Sequence, residues 1–225
     1  MSVEWYDLIA RRNGGYKSRA VYTTAGKSAE PIFEERLRDM LPQYRSVLDA
    51  GCGHGDFTLR MAQYAQHITG FDNSTELLSI AQSLLHSSGV PNVSFVYATT
   101  KTELPFKDGQ FDLIYDRRGP TSILDHGRIL ASGGTIFGIH TSMDKVRERL
   151  AGNGFKDVEI EEYHDAVHYF PNEQEFAKFM SDVPGNPDLT RPEHRGELEA
   201  LMLQNRIDGE LALREHKFIW KAIKP

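Results

Sequence analysis

The stretch "VLDAGCGHGDFTL", Val47 to Leu59, decides how the rest of the chain is read. It places glycines at 51, 53 and 55, with an aspartate two residues before the first. Ahead of it, the run from Arg45 to Ala50 has the pattern of a strand. Behind it, Asp56 to Gln66 has the pattern of a helix, with Phe57, Leu59 and Met61 among its apolar positions. The glycines therefore occupy a strand-to-helix turn. Glycine tolerates positive φ and has no Cβ, so a ligand lies close to main chain at such a turn, and its amides, at a helix N-terminus, are expected to face that ligand. The spacing is G-x-G-x-G; Asp56 stands where the dinucleotide fingerprint G-x-G-x-x-G has its last glycine. With Asp49 adding negative charge, the turn disfavours a pyrophosphate and suits a ligand with a cationic or neutral centre and hydroxyls.

Outward from the turn the chain alternates. Strand-like "HITGFD", "VSFVYA", "FDLIYD" and "GTIFGIH" are separated by helix-like segments at 75–88 and about 121–131, and a further helix is expected over 142–152. Such alternation implies right-handed βαβ units and a mostly parallel sheet covered on both faces, with ligands beyond the carboxyl ends of the strands. Asp72, at the end of "HITGFD", lies about 20 residues past the turn, where an acid accepts hydrogen bonds from ribose hydroxyls. Its competing role as a helix cap is better filled by Asn73 or Ser74. Upstream, "KSAEPIFEERLRDMLP" reads as one amphipathic helix with Pro31 near its start and Pro42 past its end. Residues 1 to about 27 read as an irregular arm or lid.

Composition bounds the answer further. The chain has 225 residues, 40% of them hydrophobic, enough for one substantial core, and shows no internal repeat. A formal net charge of −6 argues against wholesale wrapping of nucleic acid. No run of about 18 apolar residues and no signal-like start is present, so a cytoplasmic protein with no membrane contact is expected. The single cysteine, Cys52, leaves no intrachain disulfide and no multi-cysteine zinc site. As a small residue between two glycines it reads as filler in a tight turn and not as a nucleophile.

"VLDAGCGHGDFTL", "GFDNS", "LPFKDGQFDLIYDRRGP" and "RILASGGTIFGIHT", in that order, resemble the signature segments of class I S-adenosylmethionine-dependent methyltransferases over roughly residues 45–165. The resemblance implies an α/β, Rossmann-like fold with a seven-stranded, mostly parallel sheet whose last strand is antiparallel. It further implies helices on both faces and a small helical insertion before the last strand. One methyltransferase domain over 1–225 is expected, made of an N-terminal arm and helix (1–44), a cofactor-binding core (45–165), a helical cap insertion (166–215) and a closing strand (216–225). The implied cofactor is S-adenosyl-L-methionine, with S-adenosyl-L-homocysteine as product. Its implied contacts are Asp49, Gly51, Cys52, Gly53, Gly55 and Asp72, then Asp116 at the methyl donor. Near the end of the third strand the family has an acidic or amide residue for the adenine; Thr99 and Thr100 stand there instead, leaving Asn73 and backbone groups to share that task.

Methyl transfer from a sulfonium needs chiefly alignment, and a base only where the nucleophile carries a proton. Asp116 and His140, at two strand ends, are the candidate catalytic residues, with the N-terminal tyrosines behind them. Arg117 and Arg118 either clamp a carboxylate or phosphate of the substrate or pair with nearby acids. Tyr6 and Tyr16 of the arm are further candidates for substrate binding. The C-terminal third reads as a sixth strand in "DVEIEEYHDAVHYF", helices in "NEQEFAKFM" and "RGELEALMLQNRIDGEL", and a closing strand in "HKFIWKAIKP". His164 and His168 share a face if the sixth strand continues that far, but further metal ligands are wanting. The favoured partner is a small-molecule methyl acceptor. Two alternatives stay open: an RNA methyltransferase, kept by aromatics interleaved with Arg11, Arg12, Lys17 and Arg19, and a non-catalytic cofactor-binding regulator.

Overall fold

The computed structural model describes residues 3–225. In chain order it runs α1 (Val3–Asn13), β1 (Thr23–Ala25), α2 (Ala29–Met40), β2 (Val47–Ala50), α3 (Asp56–Ala62), β3 (Ile68–Asp72), α4 (Thr75–Ser88), β4 (Val93–Tyr97) and β5 (Phe111–Arg117). It continues with β6 (Leu130–His140), α5 (Asp144–Gly152), β7 (Lys156–Tyr163), β8 (Val167–Tyr169), α6 (Glu173–Ser181), α7 (Arg195–Gln204), β9 (Arg206–Ile207), β10 (Glu210–Arg214) and β11 (Lys217–Ile223). The chain forms two compact units: residues 29–162 with 217–225, and residues 1–28 with 163–216.

The first unit is a seven-stranded sheet of order β4-β3-β2-β5-β6-β11-β7. Strands β2, β3, β4, β5 and β6 pair in parallel, and β11 is antiparallel to β6 with Trp220 opposite Gly138. A central parallel strand is covered on both faces, so β2 is buried at all of its four positions, Asp49 included. The main core gathers Leu48, Phe71, Phe111, Ile114, Leu130, Ile136 and Trp220. Local signals set the helix ends. Pro31 sits in the first turn of α2, where its missing N–H costs nothing, and Pro42 closes that helix in a tight turn over Leu41–Gln43. Ser74 caps α4 through its hydroxyl, 3.1 Å from the Leu77 amide, and leaves Asp72 outside the cap.

Several expected elements differ. Helix α3 stops at Ala62, four residues early, because the amides of Gln63, Tyr64 and Ala65 turn back onto carbonyls three residues or fewer behind. The segment at 121–129 is a 3₁₀ helix kinked at His126. Strand β6 begins at Leu130, ahead of the expected start at Gly134, and runs through both Gly133 and Gly134.

The second unit holds a four-stranded antiparallel sheet, β1-β8-β10-β9, over a separate core of Phe170, Phe176, Met180, Leu189, Leu198 and Met202. The arm at 1–27 is therefore not irregular: it supplies α1, which buries Ile9, Ala10 and Asn13, and the short strand β1. The segment at 166–215 has the two expected helices and, in addition, β8, β9 and β10. Helix α7 ends at Gln204 because Asp208 and Gly209 both take positive φ, 51° and 85°, and turn β9 back onto β10. The expected sixth strand breaks at residues 164–166 into β7 and β8, which belong to different sheets.

Candidate active site

From β2 the sheet grows one way through β3 to β4 and the other way through β5 to β6, so the connectivity reverses between β2 and β5. Parallel sheets bind ligands beyond the strand ends at that point. The glycine turn leaves β2 there, and the segment Asp116–Pro120 leaves β5.

The turn amides are used within the protein. Those of Gly51 and Cys52 both donate to the Phe71 carbonyl, at 3.0 and 2.9 Å, and that of Gly55 to the Cys52 carbonyl at 3.1 Å. The Gly53 amide donates to Asp72 Oδ2 at 2.9 Å. For these four residues the expectation that turn amides face a ligand is corrected; G-x-G-x-G predicts the bend but not where its N–H groups point. Gly51 has φ 80°, and a Cβ there would come within 2.7 Å of Pro120 Cδ, so this glycine lets the segment after β5 close onto the turn. Cys52 packs among Ala62, Leu78, Ala81 and Phe95, and burial, aided by Asp49 and Asp72, pushes its thiol well above the ordinary range. A thiol so buried and raised is a poor nucleophile.

Asp72 joins two pieces of the crest. Its second oxygen accepts the Ser74 amide at 2.9 Å, so one carboxylate spans the turn and the start of α4. Asn73, next in sequence, and Thr99, just past β4, are both half-buried; Thr99 Oγ1 accepts the Lys101 amide at 3.3 Å, whereas the Thr100 hydroxyl is 2.6 Å from Ser122 Oγ. Asp49 faces inward. One oxygen, Oδ2, accepts both the Thr58 hydroxyl at 2.6 Å and the Tyr115 hydroxyl at 2.8 Å. Burial pushes its carboxyl up to about 7, against the pull of those two bonds.

Asp116 and His140 lie together at the ends of β5 and β6. Asp116 is fully buried, its Oδ1 accepts the Gly119 amide at 2.6 Å, and its Oδ2 is 3.4 Å from His140 Nε2. Burial lowers the affinity of His140 for a proton, but Asp116 and the Gly119 carbonyl outweigh it and hold the ring above its usual value.

Arg117 and Arg118 meet an acid that the sequence did not single out. Glu30, in the first turn of α2, is 2.9 Å from Arg117 Nε, 3.4 Å from Arg118 Nε and 2.9 Å from Lys217 Nζ. Burial works to raise the Glu30 carboxyl, yet the three cations hold it at about 2. Arg117 also lies over the Phe57 ring at 4.4 Å, and Arg118 carries a left-handed φ of 61°. Of the two roles weighed for the arginine pair, pairing with an acid is the one present. Nothing in the sequence marks Glu30 as its partner, because 87 positions separate it from Arg117.

Tyr6 and Tyr16 belong to the other unit, where they meet edge-on at 5.6 Å, each also against Trp5. Arg12 of the same arm donates to Asp182 at 2.6 Å. His168 has its Nδ1 2.9 Å from the Thr24 hydroxyl and its Nε2 3.6 Å from Glu215, while His164 falls in the break between β7 and β8. Among the described residues no cluster of three His, Cys, Asp or Glu side chains is placed to hold a metal ion, and no helix is long and apolar enough to cross a membrane.

Residues 47–132, from the start of β2 into β6, match the family model described as "Methyltransferase domain". This domain and the methyltransferase relatives support a class I S-adenosylmethionine-dependent methyltransferase family for the chain. This methyltransferase is similar to a solved structure from Deinococcus radiodurans R1 titled a functionally unknown protein, with 28% identity, a TM-score of 0.70, and coverage of 99% of this chain and 100% of that one. Among curated proteins it is similar to the "Uncharacterized methyltransferase YcgJ" of Bacillus subtilis, at 40% identity over 30% of this chain and 26% of that one. It is also similar to the "Trans-aconitate 2-methyltransferase" of Deinococcus radiodurans, at 28% identity over 62% of this chain and 47% of that one. The matched stretches thus span less than half the length of either curated relative.

Proposed function

We propose that this chain binds S-adenosylmethionine at the glycine turn and transfers its methyl group to a small anionic acceptor. The observation that carries the cofactor half is Asp72, at the end of β3, whose carboxylate is pinned by the Gly53 amide of the turn leaving β2 and by the Ser74 amide. An acid so placed accepts ribose hydroxyls, and the carboxylates of Asp72 and Asp116 suit a cationic ligand and repel a pyrophosphate. The set therefore fits S-adenosylmethionine and not a dinucleotide.

When bound, that cofactor supplies a methyl group already activated on a sulfonium. The residues' part is alignment: Asp72 orients the ribose, Gly51, Gly53 and Gly55 shape the bend beneath the methionine portion, and Asp116 with the Gly119–Pro120 segment bounds the methyl end. Asn73 and Thr99 border the adenine. Arg117 and Arg118 draw the acceptor's carboxylate or phosphate, which competes with Glu30 for them. The relative whose printed name gives trans-aconitate as acceptor supports an anionic small molecule. An RNA acceptor has less support, because Arg12 of the basic arm is already spent on Asp182.

The test is a calorimetric and thermal-shift comparison of S-adenosylhomocysteine with NAD on the full chain, followed by transfer assays on small carboxylates and phosphates. At one hundred times its dissociation constant a ligand of the folded state adds about 2.7 kcal/mol of stability. A response to S-adenosylhomocysteine alone supports the reading; a response to NAD alone overturns it. Binding without transfer to any acceptor favours the regulatory alternative.

A further inference from the structure

The chain from Trp220 to Gly119 decides what His140 can do. Trp220 lies in β11 opposite Gly138 of β6, and Gly138 in turn is opposite Asp116 of β5, so the three strands bring the two side chains to either side of one glycine. A Cβ on Gly138 would collide with the Trp220 ring, so that glycine lets the indole lie across β6. The indole N–H, 1% exposed as a residue, donates to His140 Nδ1 at 3.0 Å.

An indole N–H is only a donor, so Nδ1 must be the unprotonated nitrogen of the ring. In neutral His140 the proton then sits on Nε2, which is 3.4 Å from both Asp116 Oδ2 and the Gly119 carbonyl. Asp116 Oδ2 is buried with no hydrogen-bond partner of ordinary length among the described residues, so the Nε2–H faces the one carboxylate oxygen that lacks a donor. Both ring nitrogens are thereby occupied: one lone pair by Trp220, and one proton shared between the Gly119 carbonyl and Asp116 Oδ2. A base needs a free lone pair, and His140 in this state has none.

We propose that Trp220 is a positioning residue that fixes His140 as the Nε2–H tautomer, and that His140 acts as a donor steadying Asp116 and not as the base that deprotonates the acceptor. The consequence reaches the glycine turn. Asp116 Oδ1 holds the Gly119 amide, and the Gly119–Pro120 pair lies against Gly51, so the orientation of a ring in β6 sets the fit of the segment that covers the turn after β2.

Two readouts test this, and only the second rests on the cofactor reading above. The first is the long-range ¹H–¹⁵N correlation of the histidine rings in the full chain, recorded on the alkaline side of the His140 titration, with the His140 signals assigned by their loss in His140→Gln. The expected result is a protonated Nε2 and bare Nδ1 in the wild type, and a mixed or reversed tautomer in Trp220→Phe. A protonated Nδ1 in the wild type, or no change in Trp220→Phe, overturns the proposal whatever the protein binds.

The second is S-adenosylhomocysteine affinity by calorimetry. Glutamine accepts through Oε1 and donates through Nε2 but has no basic nitrogen, so His140→Gln should bind within about threefold of the wild type while His140→Leu loses about tenfold. Equal loss in both variants, or none in His140→Leu, overturns the positioning role. Failure of the wild type to bind S-adenosylhomocysteine overturns the cofactor reading instead, and the tautomer still decides this one.

Discussion

Arg117 Nε and Glu30 Oε2 lie 2.9 Å apart, joining the end of β5 to the first turn of α2, and Arg118 and Lys217 converge on the same carboxylate. Glu30 is the acid that lets three cations share one edge of the sheet. Its folded value of about 2 is below the ordinary 4.5, so its contribution is fully present above about 4.5 and is lost as the pH falls through about 2. Glu30→Gln is therefore expected to cost on the order of 2 kcal/mol at pH 7. The gap from wild type should narrow below pH 4 and close near pH 2. Urea unfolding at a series of pH values measures it; equal stability of the two proteins at pH 7 would show that the cluster carries no weight.

For Asp72 the expectation separates binding from folding. Asp72→Ala removes the acceptor of the Gly53 and Ser74 amides as well as the proposed ribose contact, so it should weaken S-adenosylhomocysteine binding by about 1 to 3 kcal/mol and lower stability by about 1 kcal/mol. Asp72→Asn keeps an acceptor oxygen and should lose less of both. An unchanged dissociation constant in Asp72→Ala takes this residue out of the binding site.

The pattern that could be read without coordinates is the part fixed by local chemistry. Val47–Ala50 followed by glycines gave the central strand and the bend, and the cap of α4 fell on Ser74, one of the two positions, with Asn73, that spacing offered. The Asp208–Gly209 pair was also legible, since that dipeptide between β-prone residues is a hairpin signal; the helical pattern before it hid it. The break at residues 164–166 was not legible, because "DVEIEEYHDAVHYF" alternates through it and only pairing with two different sheets distinguishes β7 from β8. Glu30 and Trp220 were invisible for a third reason: each acts through a partner 80 or more positions away, and a lone glutamate or tryptophan has no spacing to betray it.

Asp49 predicts a dependence on pH of the opposite sign. Its folded value of about 7 is above the ordinary 3.8, so the folded state holds its proton more tightly than the unfolded one, and stability from this group falls as the pH rises from about 4 through about 7. Both hydroxyl donors reach the same oxygen, Oδ2, so Asp49→Asn with its amide oxygen in that place keeps both bonds and loses the titration. The variant should gain on the wild type by on the order of 2 kcal/mol between pH 4 and pH 8. Melting curves across that range decide it, and parallel curves would mean that Asp49 is ionised throughout.

Gly138 offers the sharpest separation of packing from polar positioning. Trp220 is 1% exposed in the main core, so it has no room to retreat from a new methyl group on the neighbouring strand. Gly138→Ala is expected to lower stability by about 1 to 3 kcal/mol, the usual range for overpacking a filled core. Because the indole must swing away to admit the Cβ, its N–H also leaves His140 Nδ1. Trp220→Phe loses the same hydrogen bond while keeping an aromatic ring and leaving Gly138 unaltered. The two variants should therefore shift the His140 tautomer alike but differ in stability, with Gly138→Ala the less stable. Calorimetric melting paired with the ¹⁵N ring signals reads both quantities. A Gly138→Ala protein that melts like the wild type would mean that β11 slides to make room, and the close approach of Trp220 to β6 would then have no part in holding His140.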